Sequence, residues 1–207
     1  MKRTAAFVPV IALSLVAAGF WQQSSKVDFK TSVEKATKNY EAKNYGEALK
    51  HLRNATQVVT NARADAIRAA LPAAPSGMKV EDTKNQDSNN SFLMGGLGCQ
   101  VERRYTTENG EKNISLKVQA DSTFVGMLLP MLTNPVLVQS QGGEILEYGK
   151  NKAVLTKQGD DGKNWKLQII VDAAHLIEIE CTGFDRDGLL KIFDDTAVGK
   201  LAKELGN

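Results

Sequence analysis

Two glutamates carry the chemistry that this sequence suggests most directly. Glu178 and Glu180 lie two positions apart in the segment HLIEIECT, whose alternation is typical of a β-strand, so their carboxylates should share one face. Paired carboxylates can act as general acid and base. The same spacing is common on solvated strand faces, where an outward Arg104 or Lys166 on another strand would neutralise both charges. An enzyme that acts on cell-envelope material through the Glu178/Glu180 face is therefore an alternative interpretation.

The other residues that could support catalysis or metal binding lack the partners that such chemistry needs. His51 and His175 are the only histidines, and neither belongs to a zinc-binding spacing. The acidic turns at 160–162 and 185–188 lack the downstream glutamate of a calcium loop. The glycines at 95–98 precede a strand, whereas a phosphate-binding loop needs a following Lys-Ser/Thr on a helix. The sequence predicts a protein that is not an enzyme and that holds no cofactor or metal.

The first 18 residues have the three parts of a signal peptide. Lys2 and Arg3 form a basic start, and residues 16–18 (Val-Ala-Ala) fit a cleavage site. The apolar stretch between them is shorter than the roughly 20 residues of a membrane span, although retention as an anchor is the alternative. Cleavage removes two of the 26 basic residues and leaves 24 against 24 acidic ones, so the mature protein is close to neutral and no nucleic-acid surface is expected. The predicted location is the periplasm or the external medium.

Export changes the interpretation of the two cysteines. Cys99 lies in the first segment with clear strand alternation and Cys181 in the last, and the chain has no other cysteine. In an oxidising compartment, two cysteines on well-formed strands favour a disulfide. We predict that these strands are neighbours in one sheet and that Cys99 and Cys181 are joined. The alternative is two buried free thiols that pack as small apolar side chains.

Residues 26–71 have the apolar period of a helical hairpin. The segment with Tyr40, the Asn44-Tyr45 turn and the Glu47-Ala48-Leu49…Ala55 pattern resembles a single tetratricopeptide-type hairpin. Such repeats bury their faces against neighbours, and no second copy follows here. The apolar stripe of the second helix is therefore expected to dock on the rest of the chain or on a second protomer, or to form a peptide-binding groove. It consists of Tyr45, Ala48, Leu49, Leu52, Ala55, Val59, Ala62, Ala66 and Ile67.

Residues 72–77 form the predicted linker, and residues 78–207 the predicted second domain. Its alternating segments are separated by tight turns, of which Glu108-Asn109-Gly110 gives the clearest hairpin signal. Helices are expected over Thr123–Leu132, Asp185–Phe193 and Thr196–Leu205, whereas Asn134-Pro135 should return the chain to extended form. Strands joined by tight turns predict an antiparallel sheet with covering helices, which is the α+β class.

The layout of residues 72–205 resembles the Mog1/PsbP-like α/β/α sandwich. An opening strand hairpin, a helix, a strand meander and a closing helix after LIEIECTG carry the likeness. The LPAAPSG entry, Ala120–Ser122 and Asn134-Pro135 are similar to segments of uncharacterised exported bacterial proteins. The resemblance implies a small accessory or binding protein. It implies no shared catalytic residue.

One segment stands out as a binding candidate. It is rich in leucine and methionine, side chains that serve equally in a core and in an adaptable apolar groove for a partner or a lipid. Its residues are Phe124, Met127, Leu128, Leu129, Met131 and Leu132. We therefore predict an exported binding or accessory protein of the cell envelope that contacts a partner through this segment or self-associates through the long helix. A structural homodimer is a further alternative.

Overall fold

A computed structural model describes residues 28–82 and 98–206 of this chain. The predicted signal peptide and the glycines Gly95 and Gly96 lie outside the described residues. The helices are α1 (Phe29–Glu41), α2 (Tyr45–Ala70), α3 (Thr123–Leu132), α4 (Pro135–Ser140), α5 (Arg186–Ile192) and α6 (Asp195–Leu205). The strands are β1 (Met78–Asp82), β2 (Cys99–Thr107), β3 (Asn113–Ala120), β4 (Gly143–Tyr148), β5 (Asn151–Lys157), β6 (Asn164–Val171) and β7 (His175–Thr182).

The seven strands form one sheet in the order β1-β2-β3-β7-β6-β5-β4, and every neighbouring pair is antiparallel. The predicted α+β class is confirmed. Strand β1 is absent from the sequence-based prediction. It is an edge strand of five residues in which only Met78 is partly buried, and its alternation of Met78 and Val80 with Lys79 and Glu81 is too short to stand out in the sequence.

The two faces of the sheet are covered differently. One face forms the main core with α2, α5 and α6, and its fully buried side chains include Leu116, Leu167 and Ile179. On the other face, α3 and α4 cover part of the sheet through a smaller cluster that contains Val154, Ile170 and Leu176. Most polar residues of β2, β3, β6 and β7 alternate with the main-core residues along each strand, so they lie on the same side as α3 and α4. Arg103 of β2 is an exception, since it lies on the side of α2.

The long helix α2 joins the hairpin to the sheet. Ala64, Ile67 and Leu71, at its C-terminal end, belong to the main core, whereas its first half packs against α1. Just beyond the helix, the Pro72 carbonyl accepts a hydrogen bond from the Tyr105 hydroxyl at 2.7 Å. The Arg103 guanidinium binds Asp82 and also donates to the carbonyls of residues 68, 71 and 72. Cations stabilise the carbonyl end of a helix, so Arg103 holds α2 against the edge of the sheet.

The expectation of an extended chain after Asn134 is wrong. Residues 135–140 form helix α4, because the Asn134 side chain accepts hydrogen bonds from the backbone N–H groups of Val136 and Leu137. Pro135 occupies the first helical position, where a missing N–H costs nothing. The Asn-Pro pair therefore starts a helix here. Helix α3 also continues two residues past Pro130, to Leu132.

The predicted disulfide is wrong, and so is the predicted pairing of its strands. Strand β3 lies between β2 and β7, and both cysteines are free and buried. Cys99 is opposite Ala120 of β3, whereas Cys181 is opposite Ile114, six residues away along the same strand. Six residues of strand span about 20 Å, far beyond the reach of a disulfide. The alternative of two buried thiols that pack as apolar side chains fits the structure.

Both thiols should therefore be detectable without reductant. Burial raises the pKa of each thiol to about 11, so little thiolate is present at pH 8. We expect a thiol reagent to modify the folded protein slowly, and to titrate two thiols per chain once the protein is unfolded in guanidinium. Fewer than two thiols in the unfolded, unreduced protein would show that a disulfide forms after all. Intact mass after alkylation, with and without prior reduction, provides the independent measurement.

Candidate functional site

Helices α3 and α4 belong to the longest uncharged part of the described chain. From residue 122 to residue 143 the sequence contains no Asp, Glu, Lys or Arg. The charged residues that bound it are both paired: Asp121 lies 3.4 Å from the Arg63 guanidinium, and Glu144 lies 2.7 Å from that of Arg186. Such a surface is suited to contact apolar groups. A partner that covers it would not have to remove an unpaired charged group from water.

The buried side of this unit fixes its position on the sheet. Val125, Leu132 and Val138 pack with Val154, Ile170 and Leu176 of the sheet. Gly143 lets α4 approach β4 closely, since a Cβ built there would lie 2.9 Å from a methyl of Val138 and 3.1 Å from its carbonyl oxygen. The two helices are therefore anchored from below, and their outward side chains are held in place by the fold.

The structure divides the predicted binding residues between core and surface. The Met127 side chain is 70% exposed and Met131 is 47% exposed, and the two are one helical turn apart on α3. Leu132 is 8% exposed and belongs to the smaller core cluster, and Leu128 is partly buried against it. The side chain of Phe124 lies outside the described residues. Of the segment singled out from the sequence, the two methionines are thus the part available to a partner.

Three further exposed apolar residues lie on α4 and on the adjacent strand β4, and they were missed by the sequence-based prediction. Val136 and Leu137 are exposed in the first turn of α4, and Ile145 is 36% exposed on the neighbouring strand β4. The Asn-Pro helix start would have revealed the first two, because it places them on the outer turn of a short helix. We refer to Met127, Met131, Val136, Leu137 and Ile145 as the methionine surface.

The paired glutamates are neutralised by lysines. Lys166 lies 2.7 Å from Glu178 and 3.2 Å from Glu180, and Lys117 approaches both carboxylates from the opposite strand at 4.0 and 3.7 Å. The Glu178 side chain also accepts a hydrogen bond from the Gln168 amide. Both carboxylates are therefore held in ion pairs with lysines on the face of the sheet, which is the neutralised arrangement expected of a solvated strand face. Of the two residues expected to neutralise these glutamates, Lys166 does so in the structure, whereas Arg104 pairs with Glu102.

His175 has a structural role, in which its ring accepts a backbone hydrogen bond. Its Nδ1 accepts a hydrogen bond from the backbone N–H of Asp121 at 2.9 Å, so the ring proton is on Nε2, which lies 3.6 Å from Asp172. The hydroxyl of nearby Ser122 is buried and has no hydrogen-bond partner. A base that would activate this serine needs a free ring nitrogen aimed at it, and Nδ1 is already occupied. The ring instead ties the start of β7 to the end of β3.

The acidic turns also have local roles. Asp161 accepts from the Lys163 backbone and the Asn164 amide, and Asp185 caps α5 by accepting from the Gly188 backbone. Among the described residues, no cluster of three or more metal-binding side chains is present.

Two clefts of about 390 and 420 Å³ lie near Tyr148 and near Phe184, and neither is lined by Glu178, Glu180 or His175. No helix in residues 28–82 or 98–206 combines the length and apolarity that crossing a bilayer requires.

Comparisons with known proteins found no match: no protein-family model, no curated protein and no solved structure is significantly similar to this chain.

Proposed function

We propose that this protein is a non-enzymatic binding or accessory protein of the cell envelope, exported through the signal peptide at 1–18, and that it contacts a protein partner through the methionine surface. The observation that carries the proposal is the exposure of Met127 and Met131 on a helix whose other side is anchored in the core. Methionine side chains are flexible and polarisable, so they adapt to apolar partners of differing shape.

The chemistry of the surface defines the partner class. With no charge between residues 122 and 143, the surface offers few groups that could select a charged peptide or a nucleic acid. We therefore expect an apolar segment of an envelope protein, such as one face of an amphipathic helix. The layout resemblance to the Mog1/PsbP-like sandwich is compatible with an accessory role of this kind.

The test is site-specific photo-crosslinking in living cells. A photoreactive residue at Met127 should give one dominant crosslinked protein, whereas the same residue at Glu108, exposed in the β2–β3 turn, should not. Because the double variant Met127→Glu/Met131→Glu replaces Met127, the photoreactive residue is placed at Leu137 for this comparison. The double variant should lower crosslinking from Leu137 to the same protein at least tenfold. Its melting temperature should stay close to that of the wild type, because Met127 is largely exposed and Met131 about half exposed.

A matched buried variant separates binding from folding. Leu132→Glu places a charge at an 8% exposed site and should destabilise the protein by about 3 kcal/mol or more. Crosslinking that is unchanged in Met127→Glu/Met131→Glu would overturn the proposal. So would binding of the purified protein to phospholipid vesicles with no protein crosslink, because the surface would then be a lipid contact.

A further inference from the structure

The helical hairpin has its large and small apolar residues in an unusual arrangement. Over residues 28–60 the fully buried positions are all small, namely Ser32, Ala36, Ala48 and Ala55. Small residues let two helices approach closely, which explains how α1 and α2 pair. Four larger apolar residues of this part of α2 are left about half exposed: Tyr45 at 55%, Leu49 at 54%, Leu52 at 48% and Val59 at 53%.

These exposed residues form one continuous stripe. Positions 45, 49, 52, 56 and 59 follow the alternating spacing of four and three residues that keeps side chains on one side of a helix. Thr56 completes the row, and Tyr40 of α1 extends it through an edge-on contact with Tyr45, with ring centroids 5.6 Å apart. We call Tyr40, Tyr45, Leu49, Leu52, Thr56 and Val59 the hairpin stripe. The sequence-based stripe is corrected in part, since Ala62 and Ala66 are exposed and Ala64 is buried in their place.

We propose that the hairpin stripe is a homodimer interface, in which α2 of one copy packs antiparallel on α2 of a second copy about a two-fold axis at Leu52. The spacing supports this occupant. Tyr45 and Val59 lie seven residues before and after Leu52, so an antiparallel pairing sets Leu52 on Leu52 and Tyr45 on Val59. A two-fold interface needs such self-complementarity.

The charges of α2 permit the same pairing. Each residue of an α-helix is turned by about 100° from the one before, so Glu47 and Lys50 lie on the side of α2 away from the hairpin stripe and place no charge in this interface. Like charges placed across an interface would oppose it. The main-core contacts of α2 lie at its other end, near Ile67, so the sheets of the two copies lie at opposite ends of the paired helices.

The apolar area is sufficient for a dimer. Five large side chains, each about half exposed, present roughly 500 Å² per copy, and two copies would bury about 1,000 Å², near the lower bound for specific interfaces. An interface of this size favours a reversible dimer, with a dissociation constant in the micromolar range, over an obligate dimer. This interface is independent of the methionine surface, which lies on α3 and α4.

Light scattering during size-exclusion chromatography provides the first test. The full chain is used as purified, with its N-terminus established by mass spectrometry. Its measured mass should be that of a dimer at about 100 μM and should fall to that of a monomer on dilution. Leu49→Glu/Leu52→Glu should be monomeric at every concentration with its melting temperature little changed, since glutamate is a good helix former. The matched control Met127→Glu/Met131→Glu should remain dimeric, which separates this interface from the proposed partner contact.

Engineered cysteines test the two-fold geometry. Leu52→Cys should form an intermolecular disulfide on mild oxidation, because residue 52 lies on the axis. Val59→Cys should not, since two copies of residue 59 would be about 21 Å apart at 1.5 Å per residue, whereas Tyr45→Cys mixed with Val59→Cys should give the heterodisulfide. The native cysteines are buried and should not compete.

Three results would overturn the proposal. One is a monomer at 100 μM, and another is a dimer that persists in Leu49→Glu/Leu52→Glu. The third is a monomeric full chain that dimerises only after removal of residues 1–27, which would show that the chain's own N-terminal segment covers the stripe.

Discussion

Replacing Tyr105 with alanine should destabilise the protein by about 4 kcal/mol, the usual cost of removing a fully buried aromatic ring. The ring is 0% exposed, packs near Phe193 with centroids 6.4 Å apart, and donates through its hydroxyl to the Pro72 carbonyl. It is the point at which the sheet, a covering helix and the end of α2 meet. Urea unfolding followed by circular dichroism gives the measurement.

Tyr105→Phe separates the ring from its hydrogen bond. This variant keeps the packing and loses only the hydroxyl, so we expect a cost of about 1 kcal/mol. The Pro72 carbonyl keeps the Arg103 guanidinium at 3.3 Å, which limits the loss. Equal destabilisation by the alanine and phenylalanine variants would show that the contact with residue 72, and not the core packing, is the dominant contribution.

Stability should fall steeply in alkali, beginning near pH 9. Burial raises the pKa of Cys99 and of Cys181 from 9.0 to about 11. The unfolded chain therefore loses its thiol protons first, so the contribution is complete below pH 9 and is lost as pH rises toward 11. Two such groups together should lower the free energy of unfolding by about 3 kcal/mol at pH 10, given 1.36 kcal/mol per pKa unit.

The Cys99→Ala/Cys181→Ala variant is the control for this pH dependence. It should be less stable at pH 7 but should show a nearly flat stability between pH 8 and pH 10. A second decline should remain above pH 10 in both proteins, because burial also raises the pKa values of Tyr105 and Tyr148 to about 12. A wild-type protein whose urea midpoint is the same at pH 8 and pH 10 would contradict the assignment of buried, protonated thiols.

The two proposed interfaces assign separate roles to two apolar surfaces. The hairpin stripe lies on the half of α2 remote from the sheet, and the methionine surface lies on helices that cover part of the polar face. Dimerisation would therefore leave the methionine surface of each copy free. A bivalent protein gains apparent affinity for partners that are themselves clustered, without any new contact.

Local patterns were enough to predict most individual elements. The β2–β3 hairpin follows from Asn109 and Gly110, and Gly110 has the positive φ of 70° that the turn requires. The bounds of α3 were predicted as Thr123–Leu132, and the structure has the same bounds. The closing helices differ from prediction by one residue at most, because Asp185 and Asp194 cap their first turns. In each case the determinants lie within a few residues of the element.

Features set by distant contacts could not be predicted in this way. The residues around Cys99 and Cys181 do not predict that β3 lies between their strands, because any strand with one apolar face can pair with any other. The exposure of Leu52 and the burial of Leu132 are equally invisible, since both belong to apolar helical patterns. Only packing decides which side of α3 meets the sheet, and which part of α2 reaches it.

The sequence by itself determined most of the helices and strands, the antiparallel α+β class and the uncharged segment at 122–143, because these depend on short-range periodicity, capping and turn residues; β1 and α4 were the exceptions. The tertiary structure decided the strand order, the free state of both cysteines, and which apolar residues remain at the surface. The physical reason is that burial depends on the summed contacts of residues far apart in the chain. Pairs such as Leu116 with Ile179, 63 positions apart, are formed only when the whole sheet assembles.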